Sequence, residues 1–178
     1  KTGGTEALTL DGMAEAIEEI ASAGIIWNKF NDRGYVIEAT LTSLMNGDTL
    51  PHYCFNGQAS TVGGSYYVSG FYSQLEKINL PIEACTKIGE GALRTTYITE
   101  YIFPNVEFIG AYAMQSCPKL QEINLPKLVR GENYCFAYNN LLETVNTPLL
   151  TTVGTGAFQR CPKLKNIDVK SILNISNS

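Results

Sequence analysis

Histidine occurs once in the 178 residues, at His52, and no pair of cysteines stands two residues apart as CxxC. That scarcity argues against a structural zinc site, which needs four Cys or His ligands at short spacings. Basic residues are also few: 13 Lys and Arg against 17 Asp and Glu, a net charge of -4. Phosphate binding needs clustered bases, so nucleic acid is excluded as a partner, and an anionic membrane surface is disfavoured for the same reason. No apolar run approaches the ~20 residues that cross a bilayer, and no charged-then-apolar signal segment opens the chain. Motifs for serine hydrolases, phosphate-binding loops, HExxH metallohydrolases and dinucleotide folds are missing too. What the chain does have is 44% hydrophobic residues, enough for a real core in about one domain. A chain that opens on Lys1 reads as processed, or as cut from a longer one.

The strongest signal is a repeat. The phrases LEKINLP (75–81), ITEYIFP (98–104), LQEINLP (120–126), LETVNTP (142–148) and LKNIDVK (164–170) begin 23, 22, 22 and 22 residues apart. A second phrase recurs in phase: KIGEGAL (87–93), FIGAYAM (108–114), RGENYCF (130–136) and TVGTGAF (152–158). The consensus is LxxIxLPxxxxIGxxAFxxCxxL. In LxxIxLP the apolar residues alternate with polar ones, the period of a strand with one buried face. Pro81, Pro104, Pro126 and Pro148 then stop each strand, since proline has no N–H for a ladder. IGxxAF should carry a glycine at a sharp bend and a small residue where the neighbouring coil leaves no room. Each unit is one coil of a solenoid, stable only when stacked on the next at about 4.8 Å per layer.

This consensus resembles the repeat of the BspA-like branch of the leucine-rich repeat proteins, a family common among bacterial cell-surface proteins and some phage-associated ones. The resemblance covers residues 75–178 well and 39–74 in degraded form, where LPHYCF (50–55) has the spacing of VGTGAF (153–158). It implies a leucine-rich repeat right-handed solenoid with a parallel β-sheet of 22-residue coils, joined by short turns or 3-10 segments, acting in adhesion or protein recognition. Three departures stand out: two extra residues around Cys85, Gly131 where Ile or Val belongs, and an insert at 56–74.

Residues 9–23 place Leu10, Met13, Ile17, Ile20 and Ala21 on one helical face, with Gly24 as a stop. The spacing predicts an amphipathic helix, which with IIW (25–27) and the strand at 35–44 forms an N-terminal cap on the solenoid; a coiled coil or tail-assembly connector is the alternative. The chain divides into a helix and cap region at 1–46 and a solenoid at 47–178 carrying the insert, as one structural unit. At the far end Ile175 falls where Val153 does, and the coil stops half made, which predicts end-to-end association through that open face.

The five cysteines read as reduced structural thiols, with no disulfide expected. Cys117 and Cys161 occupy one slot two coils apart, about 10 Å by layer spacing and beyond the ~7 Å a disulfide tolerates. Thr96 and Asn139 fill the same slot in the other coils, and Cys54 and Cys135 take the Ala slot. His52 lies two residues from Cys54, a spacing that in extended chain puts both on one side; a loop histidine beside a core thiol is the plainer reading of that pair. No catalytic residue, metal or cofactor is expected.

Two surfaces are candidate binding sites. The outward positions of the strands form two rows: Lys77, Glu100, Glu122, Thr144 and Asn166, beside Asn79, Ile102, Asn124, Asn146 and Asp168. Their bland reading is a solvated face with an amide ladder from coil to coil. The insert supplies Tyr66, Tyr67, Phe71 and Tyr72 among Gly and Ser, a composition that suits adaptable recognition, or else makes a plain hairpin turning at Gly63-Gly64. The sequence thus points to a non-enzymatic binding or adhesion module for a protein or glycan, extracellular or at the cell surface, with a structural part of a phage virion as the alternative.

Overall fold

The computed structural model describes residues 24–33, 35–44, 46–50, 54–55, 60–62, 65–67, 74–168 and 174–175. The segment proposed as the N-terminal helix lies outside them, and so do His52, Phe71, Tyr72 and residues 169–173 of the last coil. Among the described residues there is no helix: the segments between strands are hydrogen-bonded turns, not 3-10 helix as the sequence left open.

Strands run in chain order as β1 (Ile25–Phe30), β2 (Val36–Leu41), β3 (Thr49–Leu50), β4 (Ser60–Val62), β5 (Ser65–Tyr67), β6 (Lys77–Asn79), β7 (Lys87–Ile88), β8 (Glu100–Ile102), β9 (Phe108–Ile109), β10 (Glu122–Asn124), β11 (Arg130–Gly131), β12 (Thr144–Asn146), β13 (Thr152–Val153), β14 (Asn166–Asp168) and β15 (Asn174–Ile175). Two parallel sheets make the solenoid, one ordered β8-β10-β12-β14 from the LxxIxLP phrases and one ordered β3-β7-β9-β11-β13-β15 from the IGxxAF phrases. Every step is in register with the repeat: Ile123 pairs with Tyr101 and Val145, and Gly131 with Ile109 and Val153. The degraded coil fits too, with Leu50 opposite Ile88, and Ile175 stands opposite Val153.

The strands end two residues before each proline, because the intervening residue still bonds forward. Phe103, Leu125 and Thr147 donate their N–H groups to the carbonyls of Asn124, Asn146 and Asp168 in the next coil, at 3.0, 2.9 and 3.1 Å. Only then does a residue without N–H arrive. The inward positions Tyr101, Ile123 and Val145 are buried in one continuous core with Leu75, Leu120 and Leu142. Burying a side chain of that size contributes about 1.5–3 kcal/mol.

The glycines of IGxxAF serve a different end from the one expected. A Cβ on Gly110 would lie 2.7 Å from the Glu90 nitrogen and one on Gly154 2.5 Å from the Asn133 nitrogen, so these two stand as glycine because backbones touch there, while coil three holds Glu132 in the same slot. The sharp bends come two residues later, at Gly91, Tyr112, Tyr134 and Gly156, and again at Thr95, Ser116, Tyr138 and Arg160, all with φ between 54° and 63°. Six of these bends carry positive φ without being glycine, and the stack holds them there.

A polar ladder runs through the slot that CPKL marks. Thr96 Oγ1 donates to the Leu93 carbonyl at 2.9 Å, and Asn139 Nδ2 donates to those of Phe136 and Met114 at 2.8 and 2.9 Å. The Cys117 thiol reaches the carbonyls of Leu93 and Met114 at 3.3 and 3.5 Å, and the Cys161 thiol that of Phe136 at 3.2 Å. From Cys117 onward, each slot residue thus satisfies turn backbone in the coil before its own. All five cysteines are free in the structure.

Upstream of the repeats, β1 and β2 form an antiparallel hairpin, and β2 pairs in parallel with β6, Ala39 opposite Ile78. A hairpin, not a lone strand, therefore covers this side of the first coil.

Candidate functional site

The two rows of outward side chains are real over four strands and fail at the fifth. Glu100, Glu122, Thr144 and Asn166 stand opposite one another in register, as do Ile102, Asn124, Asn146 and Asp168. One rung of the expected amide ladder is present, Asn146 Nδ2 donating to Asn124 Oδ1 at 2.9 Å. Lys77 and Asn79 do not continue it. On β6 they turn to β2, where Lys77 Nζ and Asn79 Nδ2 reach Glu38 Oε1 at 2.9 and 3.0 Å and pull its carboxyl below the usual range. β6 pairs with β2 and not with β8, whose own neighbour is β10.

The sequence explains the break. Coil one holds two extra residues between Pro81 and Gly89, and one residue is missing between Thr96 and Ile98, where later coils have three steps from slot to leucine. On the IGxxAF side the coils still meet, Ile88 opposite Ile109. On the LxxIxLP side the Cα atoms of β6 and β8 stay more than 8 Å apart, where paired strands lie about 4.8 Å apart.

Between them lies a cleft of about 520 Å³. Its floor is apolar: Ile78, Leu80, Leu93, Ile98, Tyr101 and Phe103 line it, with Tyr101 and Phe103 stacked at 6.1 Å. Tyr101 takes the inward position that Ile or Val holds elsewhere, and its hydroxyl is satisfied by Thr96 Oγ1 beneath the floor. Burial raises that phenol well above its ordinary value, so it stays neutral. The rim is charged, with Glu76, Lys77 and Glu100. At one end Lys119 spans the coil between to meet Glu76 at 2.7 Å, its ammonium 5.3 Å from the Tyr97 ring. Glu100 faces Glu122 in register and forms no ion pair among the described residues.

Four of the residues singled out from the strand pattern, Lys77, Asn79, Glu100 and Ile102, thus border one cleft. The other six lie on the paired sheet, where Ile167, the inward residue of edge strand β14, is 41% exposed. Tyr66 and Tyr67 sit on β5, hairpin partner of β4, with Tyr66 opposite Thr61. The Cys/His pair has no geometry to judge, since His52 is not described, but burial pushes the Cys54 thiol far above its usual value. Cys85 and Cys117 are pushed up to about 11, again by burial. Such thiols are protonated near neutral pH, the opposite of an activated nucleophile. No group of three or more His, Cys, Asp or Glu suited to a metal occurs among the described residues.

A family profile decides the affiliation. The BspA type leucine rich repeat region matches residues 65–178 in six copies, more than half of the chain. The chain belongs to the BspA-type leucine-rich repeat family. No curated protein is similar to it by sequence. Among solved structures, a leucine rich cell surface protein from Faecalibacterium prausnitzii A2-165 is similar at 16% identity and a TM-score of 0.32, over 80% of this chain and 52% of that one. The BspA-type chain thus spans about half the length of that protein. No helix among the described residues of this repeat protein is long and apolar enough to cross a membrane.

Proposed function

We propose that the chain is a non-enzymatic recognition module, displayed outside the cell, that holds part of a partner protein in the cleft between β6 and β8. The observation that carries this reading is the interruption of an otherwise regular sheet at one step, with an apolar floor and a charged rim at the gap. A solvated face needs no such gap. Cavities that bind ligands combine an apolar lining with a few placed polar groups at about 300–1,000 Å³, and this one falls in that range. Membership of the BspA-type family supports the surface location, and nothing in the geometry favours a virion part.

The test is a panel of immobilised extracellular matrix proteins and glycans probed with the chain, its Glu100→Lys variant and a distant control, Asn166→Ala. Both positions are exposed, so neither change should unfold the protein. The expected result is a protein hit that Glu100→Lys weakens by about tenfold, as one lost charge-assisted contact would, with the control unchanged. A hit that the control abolishes and Glu100→Lys spares would move the site to the paired sheet, and glycan hits alone would reject a protein partner.

A further inference from the structure

Resting on that reading, we infer that the partner enters the cleft as an extended strand, pairing through its backbone with β6 and β8 and so completing the sheet. The two walls carry backbone groups that the rest of the solenoid uses and that have no partner here among the described residues. Phe103, Leu125 and Thr147 each donate an N–H to the next coil, yet Leu80, in the same position, has no such bond. In a strand the N–H and C=O groups of successive residues point to opposite edges. The Phe103 N–H faces β10, as does the Thr99 carbonyl that accepts from Gln121 at 2.8 Å; those of Glu100 and Ile102 therefore face β6. Donors and acceptors of this kind look for a partner, and an added strand supplies both sets at once.

The dimensions suit one strand. A strand inserted between two others needs about twice 4.8 Å, or ~9.6 Å, and the walls are more than 8 Å apart. Each wall is three residues long, which takes a segment of about three to five residues at ~3.3 Å each. Its side chains alternate. Inward ones join the layer of Ile78 and Tyr101 over the apolar floor; outward ones fall in the rows of Lys77–Glu100 and Asn79–Ile102. Lys77 is already engaged by Glu38, while Glu100 stands opposite Glu122 and forms no ion pair among the described residues. The occupant is thus a peptide segment of a partner protein with apolar residues alternating with polar ones, basic beside Glu100.

Random heptapeptides displayed on a library and selected on the intact chain supply the probe, measured against wild type, Ile102→Ala and Ile102→Pro. The Ile102 side chain is 46% exposed and its N–H has no partner among the described residues, so proline there sacrifices none of the described bonds, as on other edge strands. Selected peptides should bind Ile102→Ala within about threefold of wild type, yet lose about tenfold or more on Ile102→Pro, the cost of one backbone hydrogen bond and its geometry. The amides of Leu80 and Glu100 should exchange rapidly in the free protein and slow about tenfold or more with peptide bound. Should Ile102→Pro fail to fold, N-methylation of alternate peptide residues makes the same test on wild type, with the same loss expected. Peptides that tolerate Ile102→Pro or N-methylation but are lost on Glu100→Lys would overturn strand insertion and leave the cleft as a binding site. Indifference to all of them, or no selected peptide, would sink both readings. Slow exchange of Leu80 and Glu100 without peptide would mean that the chain fills its own gap, or a second copy does if the protection rises with concentration, and would also overturn the proposal.

Discussion

At the scale of single residues, the slot shared by Thr96, Cys117, Asn139 and Cys161 shows how a side chain can hold two coils at once. Asn139 does most, since besides its two donated bonds its Oδ1 accepts the Cys117 N–H at 2.8 Å. Replacing it with alanine leaves that buried N–H bare and weakens two carbonyls, at about 1–3 kcal/mol for each group left unsatisfied. Asn139→Ala should therefore cost about 2–4 kcal/mol in urea unfolding, and Asn139→Cys, which copies the neighbouring coils, clearly less. Equal costs for the two would show that volume, not hydrogen bonding, sets the slot. The sequence displayed the equivalence of these residues, because thiol, hydroxyl and amide recur at one phase of the repeat. It could not display the direction of their bonds, which run backward into the preceding coil and depend on how the turns stack.

Among elements, coil three shows a compensated exchange. Gly131 stands where the other coils place Ile or Val, and a Cβ there would meet the Cys135 sulfur at 3.0 Å and Ile109 Cγ2 at 3.3 Å. The thiol, itself in a slot that is alanine in coils one, two and four, fills the space that the missing side chain leaves. Gly131→Val alone should overpack the coil by about 1–3 kcal/mol, and Cys135→Ala alone should leave a small void. Together they restore the consensus pair, so a double-mutant cycle should give a favourable coupling of about 1 kcal/mol or more; additive costs would disprove the compensation. The same scale explains what the repeat arithmetic missed. The spacing of 23 between the first two phrases looks like one extra residue, but it is two added in one half-coil and one removed in the other. Opposed changes nearly cancel in a count of period, while in space they act on different sheets, and only one of these opens. The strand at 35–44 was legible from its alternation; its pairing with β1 was signalled by the turn residues Asn31, Asp32 and Gly34 between them, and reading IIW only as part of a cap passed over it.

For the whole molecule, one charge ties the degraded coil to the first full one, as Glu38 and Lys77 tie the N-terminal hairpin to β6. Asp48 accepts from Thr49 Oγ1, Thr86 Oγ1 and Lys87 Nζ at 2.7, 2.9 and 2.9 Å, and these bonds hold its carboxyl at about 2. An acid lowered in the folded state stabilises above its unfolded value, and that contribution drains away as pH falls from about 4 through 2. Asp48→Asn should flatten the acid limb of a stability-against-pH curve across that window, measured by urea midpoints; an unchanged limb would assign acid sensitivity elsewhere. How the repeats stack was open to the sequence because every coil restates it. Where the stack is joined, and where it parts, was not, since each happens once and has no second copy to align with.

The missing strand pairing also has a mechanical meaning. Neighbouring coils along most of the solenoid are riveted by two sheets, one on each side, but between the first coil and the second only the β7–β9 side is paired as a sheet, the other being held at one end by the Tyr97 N–H on the Leu75 carbonyl and by Lys119 on Glu76. Tension applied along the stacking axis should therefore load this step most, and the solenoid should open first at the cleft. A strand lodged in that gap would act as a splint, stiffening the protein along the line of load at the moment it holds its partner.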